Sequence, residues 1–241
     1  HQVRLHQCFA VQLIKAAKHA GTAAFEAMRA EWPHAKKIVI FVGKGNNGGD
    51  GFVVARLYAG IGAEATVVLC EGEPVTKDAK YNFELLKRME SGEIEGGGEG
   101  GSGEGECGED VENDENNESG AVKILTLGEI EKIRKNGKYR EDIGKSGETD
   151  SSGAAGDLLK GADLVVDALY GTGFHGELRE NGGRAAALIN GAAAPVCALD
   201  RPSGMNADTG ETAAGAVRAD LTVAFHCRKH GHSADGASEQ C

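Results

Sequence analysis

The sequence predicts an α/β fold, a Rossmann-like three-layer α/β/α sandwich on a mostly parallel, doubly wound sheet. Short runs of Ile, Val and Leu alternate with helix-length amphipathic stretches, the pattern of buried parallel strands covered by helices. Several of the runs end in loops rich in Gly or bearing Asp, where such sheets bind ligands. A length of 241 residues, 40% of them hydrophobic, suits a single domain spanning 1–241.

Residues 1–32 carry Val11, Ile14, Ala17, Ala24, Phe25 and Met28 at helical spacing without Pro, which predicts helix broken at Gly21 and closed by Trp32 and Pro33. KKIVIFVG then reads as a buried strand, DGFVVARLYAGIG as a helix stopped by glycines, and ATVVLC as a second strand. TKDAKYNFELLKRME repeats Tyr81, Leu85 and Met89 every fourth residue, as one helix face does. Residues 91–120 are Gly or acidic at 21 of 30 positions, with only Ile94, Cys107 and Val111 to bury. Such a segment cannot offset its ordering entropy and reads as a disordered insertion, as does the polar stretch 136–156. AVKILTL and ADLVVDALYGTGFHG continue the strands, RAAALING is a helix, and PVCALD and DLTVAF bring the count to about six strands.

The net charge of −11 is local. Residues 91–120 hold eleven acids and no base, so the 37 acids fall to 26 elsewhere, against 26 bases. No basic footprint for nucleic acid exists. No apolar run approaches the ~20 residues that cross a bilayer, and the first residues lack a signal-peptide core. The six cysteines (Cys8, Cys70, Cys107, Cys197, Cys227, Cys241) form no CxxC pair, which predicts free thiols in a reducing, cytoplasmic setting. Cys70 and Cys197 lie in apolar runs and read as core residues.

The chemistry gathers after strand ends. GKGNNGGDG follows the first strand, DALYGTGFHG the fourth and DRPSG the fifth. In the common order 3-2-1-4-5-6, strands one, four and five are neighbours, so these loops meet at one cleft. Gly43, Gly45 and Gly48 match the dinucleotide-binding GxGxxG, and Glu71 stands where a dehydrogenase places its ribose-binding acid. Asp50, however, would repel a pyrophosphate at that helix start. Gly171, Gly173 and Gly176 repeat the spacing and make the better phosphate cradle. Each acid has a plain alternative: Asp50 as a helix cap, Asp167 as an anchor for loop amides, Asp200 as an Asx turn. Asn47, Asp167 and Ser203 offer only hard oxygens, which suits a weakly held monovalent cation and not zinc.

Taken together and in this order, GKGNNGGDGFVVARLY, DLVVDALYGTGFHG, DRPSG and ADLTVAFHCRKHG resemble the YjeF N-terminal family, the NAD(P)H-hydrate epimerases. LIKAAKHAGTAAF is similar to that family's early helix, with Ala20 and Gly21 as its Ala-Gly pair. The resemblance implies an isomerase that interconverts the R and S forms of hydrated NADH and NADPH, upstream of a separate ADP- or ATP-dependent dehydratase. It implies that Asn46, Asn47, Gly48, Gly49, Asp50, Gly171, Thr172, Gly173, Phe174, His175, Gly176, Glu177 and Asp200 contact the nucleotide, which is substrate and not redox carrier. Asn47, Asp167 and Ser203 would hold one potassium ion, and Asp50 and Asp200 would share the proton traffic at carbon 6 of the hydrated ring. A homodimer through the early helix is implied as well. The family's DIPSG reads DRPSG, so Arg201 stands where an apolar residue packs, either facing phosphate or weakening the loop. The chain also begins at His1 without the family's opening helix and ends soon after Gly231, before its last strand.

Two other classes are compatible with these residues: an NAD(P)-dependent oxidoreductase, and a non-catalytic binding protein on the same fold. His226, Cys227, His230 and His232 cluster in the tail but fit no tight zinc spacing, so a solvated tail is expected.

Overall fold

The computed structural model describes residues 11–14, 20–94, 120–132 and 158–225. The second insertion, the tail histidines, all but the ends of the acidic stretch, and Cys8, Cys107, Cys227 and Cys241 lie outside the described residues. The elements run β1 (Val11–Ile14), α1 (Ala20–Glu31), β2 (Lys37–Val42), α2 (Asn46–Gly60), β3 (Glu64–Leu69), α3 (Lys77–Glu90), β4 (Val122–Thr126), β5 (Leu164–Ala168), α4 (Glu180–Asn190), β6 (Val196–Leu199) and β7 (Leu221–Phe225).

The sheet has seven strands in the order β1-β7-β6-β5-β2-β3-β4, and every pair is parallel. Six of these are the expected strands in the expected order. The seventh, β1, corrects the sequence reading: Val11 and Ile14 fall on a strand, paired with Thr222 and Phe225, instead of on a helix. A four-residue VQLI segment satisfies either periodicity, and the open edge of β7 decides between them by supplying a ladder.

Alternation within the strands sends side chains to two apolar layers. Ile38, Ile40, Val42, Val67, Val166 and Leu199 pack under α1, α2 and α3, through Phe25, Met28, Phe52, Tyr58, Phe83 and Leu86. Val39, Phe41, Val68, Val165 and Ala198 pack on the other face under α4, through Ala185, Leu188 and Ile189, with Ile130 and Leu159 beside them. Cys70 and Cys197 are buried free thiols in these layers. At the open edge, the Glu90 carboxylate accepts the Ile124 N–H at 2.7 Å, meeting a backbone donor that no further strand pairs. Among the described residues no helix is long and apolar enough to cross a membrane.

α2 begins earlier than the apolar pattern suggests, at Asn46, so NNGGDG forms its first turns. The glycines there serve close packing. A Cβ on Gly48 would sit 2.0 Å from the Gly43 carbonyl oxygen, and one on Gly51 2.9 Å from Ala168 Cβ. α2 can therefore approach the ends of β2 and β5 closely enough to bring its polar residues to the sheet edge.

Candidate active site

The three loops meet at the carboxyl edge of the sheet, where β2, β5 and β6 lie side by side. The Gly43 N–H donates to the Ala168 carbonyl at 3.1 Å, joining the first two. The Ser203 N–H and hydroxyl both donate to Asp167, each at 2.7 Å, and the Tyr170 N–H donates to Ser203 Oγ at 3.0 Å, joining the second and third. Asn47 is buried and its Nδ2 donates to the Leu199 carbonyl at 3.3 Å. A Cβ placed on Gly171 would lie 3.5 Å from Asn47 Cβ and 3.6 Å from Asp200 Oδ2. Asn47, Gly171 and Asp200 thus face one point.

Asp167 has no exposed surface, and the Leu169 N–H is its third donor at 3.2 Å. Burial pushes its carboxyl up to about 6, against the opposing pull of those three hydrogen bonds. The carboxylate is an anchor for loop donors, and it is also short of positive charge.

Asp200 is buried and carries a φ of +64°, alone in that region among the described residues other than glycine. The Arg201 N–H donates back to the Leu199 carbonyl at 2.7 Å, so Asp200 is the centre of a γ-turn and not of the Asx turn that was its plain alternative. That conformation is rare and costs an L-residue about 1–3 kcal/mol. The turn lifts the carboxylate off the end of β6 into the cleft.

Asp50 lies one turn into α2 and caps no part of that helix, whose N-cap is Gly45 with no side-chain bond. It accepts instead from the Gly21 N–H at the start of α1. Burial raises its carboxyl to about 7, with the Gly21 bond opposing and the Asp200 charge adding to the rise. The early Ala-Gly pair matters sterically as well: a Cβ on Gly21 would fall 2.8 Å from the Asp50 carbonyl oxygen.

These shifts give stability a pH dependence. Between about pH 4 and 7 the folded chain keeps protons on Asp50 and Asp167 that the unfolded chain has released, so stability falls as pH rises through this window. Asp50→Asn is expected to flatten that fall, and urea midpoints for both proteins at intervals across the window check it. Parallel curves would remove Asp50 from the account.

The 171–177 loop does not run into a helix start; α4 begins at Glu180, after Arg179 at the N-cap position with no side-chain cap bond, so the cradle has no helix dipole behind it. Gly171 and Phe174 turn inward, while Thr172, Gly173, His175, Gly176 and Glu177 are exposed, as is Asn46. Gly48 and Gly49 are buried in α2. His175 Nδ1 lies 3.5 Å from Asn206 Nδ2.

Two features escaped the sequence reading. Glu71 accepts the Tyr170 hydroxyl at 2.7 Å, a bridge from β5 to β3 across the end of β2. Gly182 makes it fit, since a Cβ there would lie 2.3 Å from the Tyr170 oxygen. Arg201 is 1% exposed and faces inward: its Nε donates to the Gly171 carbonyl at 3.1 Å, and its Nη2 to the same carbonyl and to that of Phe174. The side chain is thus a polar clamp on the loop.

A doubly wound parallel sheet with buried acids and other oxygen-bearing side chains gathered at its carboxyl edge defines a Rossmann-like protein with a candidate small-molecule site there. The family described as YjeF-related protein N-terminus matches residues 15–97 and 117–231, and the chain belongs to that family. The gap in the match falls inside the acidic stretch. Among similar proteins, the NAD(P)H-hydrate epimerase of Cenarchaeum symbiosum is 30% identical over 217 residues, covering 89% of this chain and 75% of that protein. The Escherichia coli bifunctional NAD(P)H-hydrate repair enzyme is 30% identical over 213 residues, 88% of this chain and 30% of that protein. The chain thus spans about a third of its bifunctional relatives. The crystal structure of yeast ynu0 shares the fold, with a TM-score of 0.59 at 19% identity over 89% of this chain and 71% of that one.

Proposed function

We propose that this chain is an NAD(P)H-hydrate epimerase, interconverting the R and S forms of hydrated NADH and NADPH. The observation that carries the reading is that Asp50 lies close enough to Asp200 to feel its charge, while burial raises the Asp50 carboxyl to about 7, so that its protonated and ionised forms are both populated near neutrality. Carbon 6 of the hydrated ring bears both a hydroxyl and the ring nitrogen. A proton from Asp50 to that hydroxyl lets the nitrogen lone pair expel water, leaving a planar cation. Asp200 then takes a proton from the water that adds to the opposite face, and the centre is inverted. Each turnover leaves Asp50 ionised and Asp200 protonated; proton exchange with solvent, or a turnover in the opposite sense, resets the pair, and no redox partner is involved. Each well-placed group of this kind contributes ~100- to 10,000-fold.

Asn47, Asp167 and Ser203 would hold a potassium ion. The donor set fits: a fully buried carboxylate with no exposed surface, a hydroxyl already on it, and an amide whose nitrogen is turned to Leu199 so that its oxygen is left for a cation. A bound potassium would supply charge compensation to Asp167 and brace the loops that carry Asn46 to Asp50 and Gly171 to Glu177 as substrate contacts. On this reading the chain works as a homodimer in the cytoplasm, beside a separate ADP- or ATP-dependent dehydratase that consumes one epimer.

The oxidoreductase alternative is disfavoured because Glu71, which would read the cofactor ribose, is engaged by Tyr170. The deciding assay starts from hydrated NADH that an S-specific dehydratase has depleted of S, with dehydratase still present. Added protein is expected to restore absorbance at the reduced nicotinamide band above the spontaneous rate. Binding of the hydrate with no acceleration would replace the enzymatic reading with a binding role.

A further inference from the structure

Among the described residues Arg201 is the largest fully buried side chain, and none of the chemistry above uses it. A guanidinium taken out of water needs compensation for its five N–H donors. Here Nε and Nη2 span two carbonyls, those of Gly171 and Phe174, while Nη1 is buried with no partner among the described residues. The arrangement is costly for a residue that only fills space. What it secures is a linkage. Arg201 follows Asp200 in the chain, and its own N–H closes the turn that holds Asp200 at positive φ. The carbonyl it grips belongs to Gly171, where an added Cβ would lie 3.6 Å from Asp200 Oδ2. The Phe174 N–H donates to that same carbonyl at 3.2 Å, so the segment 171–174 is a closed turn and is gripped as a unit.

We propose that Arg201 is a positioning residue that locks the 171–174 segment to the turn bearing Asp200, so that the substrate loop and the catalytic carboxylate keep one fixed separation. The proposal deepens the epimerase reading and rests on it for its kinetic consequence. The planar fork is what the task requires, since one end must reach two carbonyls at once; a lysine ammonium is a point donor on a flexible stem and cannot hold both.

The test compares wild type with Arg201→Met and Arg201→Lys, using amide hydrogen exchange of peptides covering 171–175 and steady-state epimerisation of hydrated NADH. Loss of the clamp is expected to speed exchange in 171–175 by about tenfold or more while β5 and β6 keep their protection. KM is expected to rise by about tenfold with a smaller fall in kcat, because substrate contacts loosen more than the acids change. Arg201→Lys should fall between the two. A purely structural role would instead lower the folded fraction and leave KM and local exchange per folded molecule unchanged, and that result overturns the proposal. If Arg201→Met does not fold, Arg201→Lys decides: wild-type exchange and KM in a folded lysine variant reject the clamp. The exchange arm needs no turnover, so a protein without epimerase activity would refute the functional reading and still leave the clamp measured.

Discussion

Asp200→Asn is expected to slow epimerisation by ~100- to 10,000-fold, the range for removing a well-placed general base, while the unfolding midpoint stays near that of wild type. The choice of Asn matters. Asp200 sits at φ +64°, a region that Asn and Asp tolerate better than other L-residues because a short polar side chain can bond locally. Asn keeps the shape and the turn and removes only the basic oxygen. Asp200→Ala would add backbone strain to the loss of the carboxylate and confuse the two. Asp50→Asn is the companion measurement, and the pair should be less than additive, since the two proton transfers serve one epimerisation. Turnover at the wild-type rate in Asp200→Asn would remove it from the chemistry.

The second large effect falls on stability. Gly48→Ala would place a Cβ 2.0 Å from the Gly43 carbonyl oxygen, and the obstacle is backbone, which no rotamer change relieves. Gly43 cannot retreat, because a Cβ at its own position would meet the Leu169 carbonyl oxygen at the same 2.0 Å, so β2, α2 and the loop after β5 are wedged together. The cost should exceed the ~1–3 kcal/mol of ordinary overpacking, read as a drop in urea midpoint at constant slope. Gly45→Ala is the control. It has nothing within 4 Å and a φ of −92° that alanine accepts, so it should be neutral or gain about 0.4–1 kcal/mol through the unfolded chain. Equal losses in the two variants would show that the glycines are needed for flexibility and not for packing.

The contrast explains what could be read from the sequence and what could not. The strand order and the meeting of the Asn47, Asp167 and Asp200 loops were legible, because apolar runs with charged ends leave few topologies and the carboxyl edge is where such sheets place ligands. The roles of single glycines were not. Gly45 and Gly48 belong to the same GxGxxG string, yet one faces open space and the other a backbone oxygen. The Tyr170–Glu71 bridge depends on which residue across the cleft lacks a Cβ, and that residue, Gly182, is in a helix that reads as ordinary. The inward turn of Arg201 ran against the usual exposure of charge; only the three-dimensional position of two carbonyls shows what holds it. Val11–Ile14 was too short for its period to settle between helix and strand.

That first strand ties the two ends of the described chain together. Val11 to Ile14 pair with Thr222 to Phe225, so the earliest segment has no partner until nearly everything else has been made. Loops closed over such a separation form late and slow the search for the native arrangement. During synthesis the sheet can grow outward from β2 and β3, whose pairing is local, while the leading segment waits. Trimming either end should therefore be felt at the other: without β7 the first strand loses its ladder, and without β1 the last one becomes an unprotected edge.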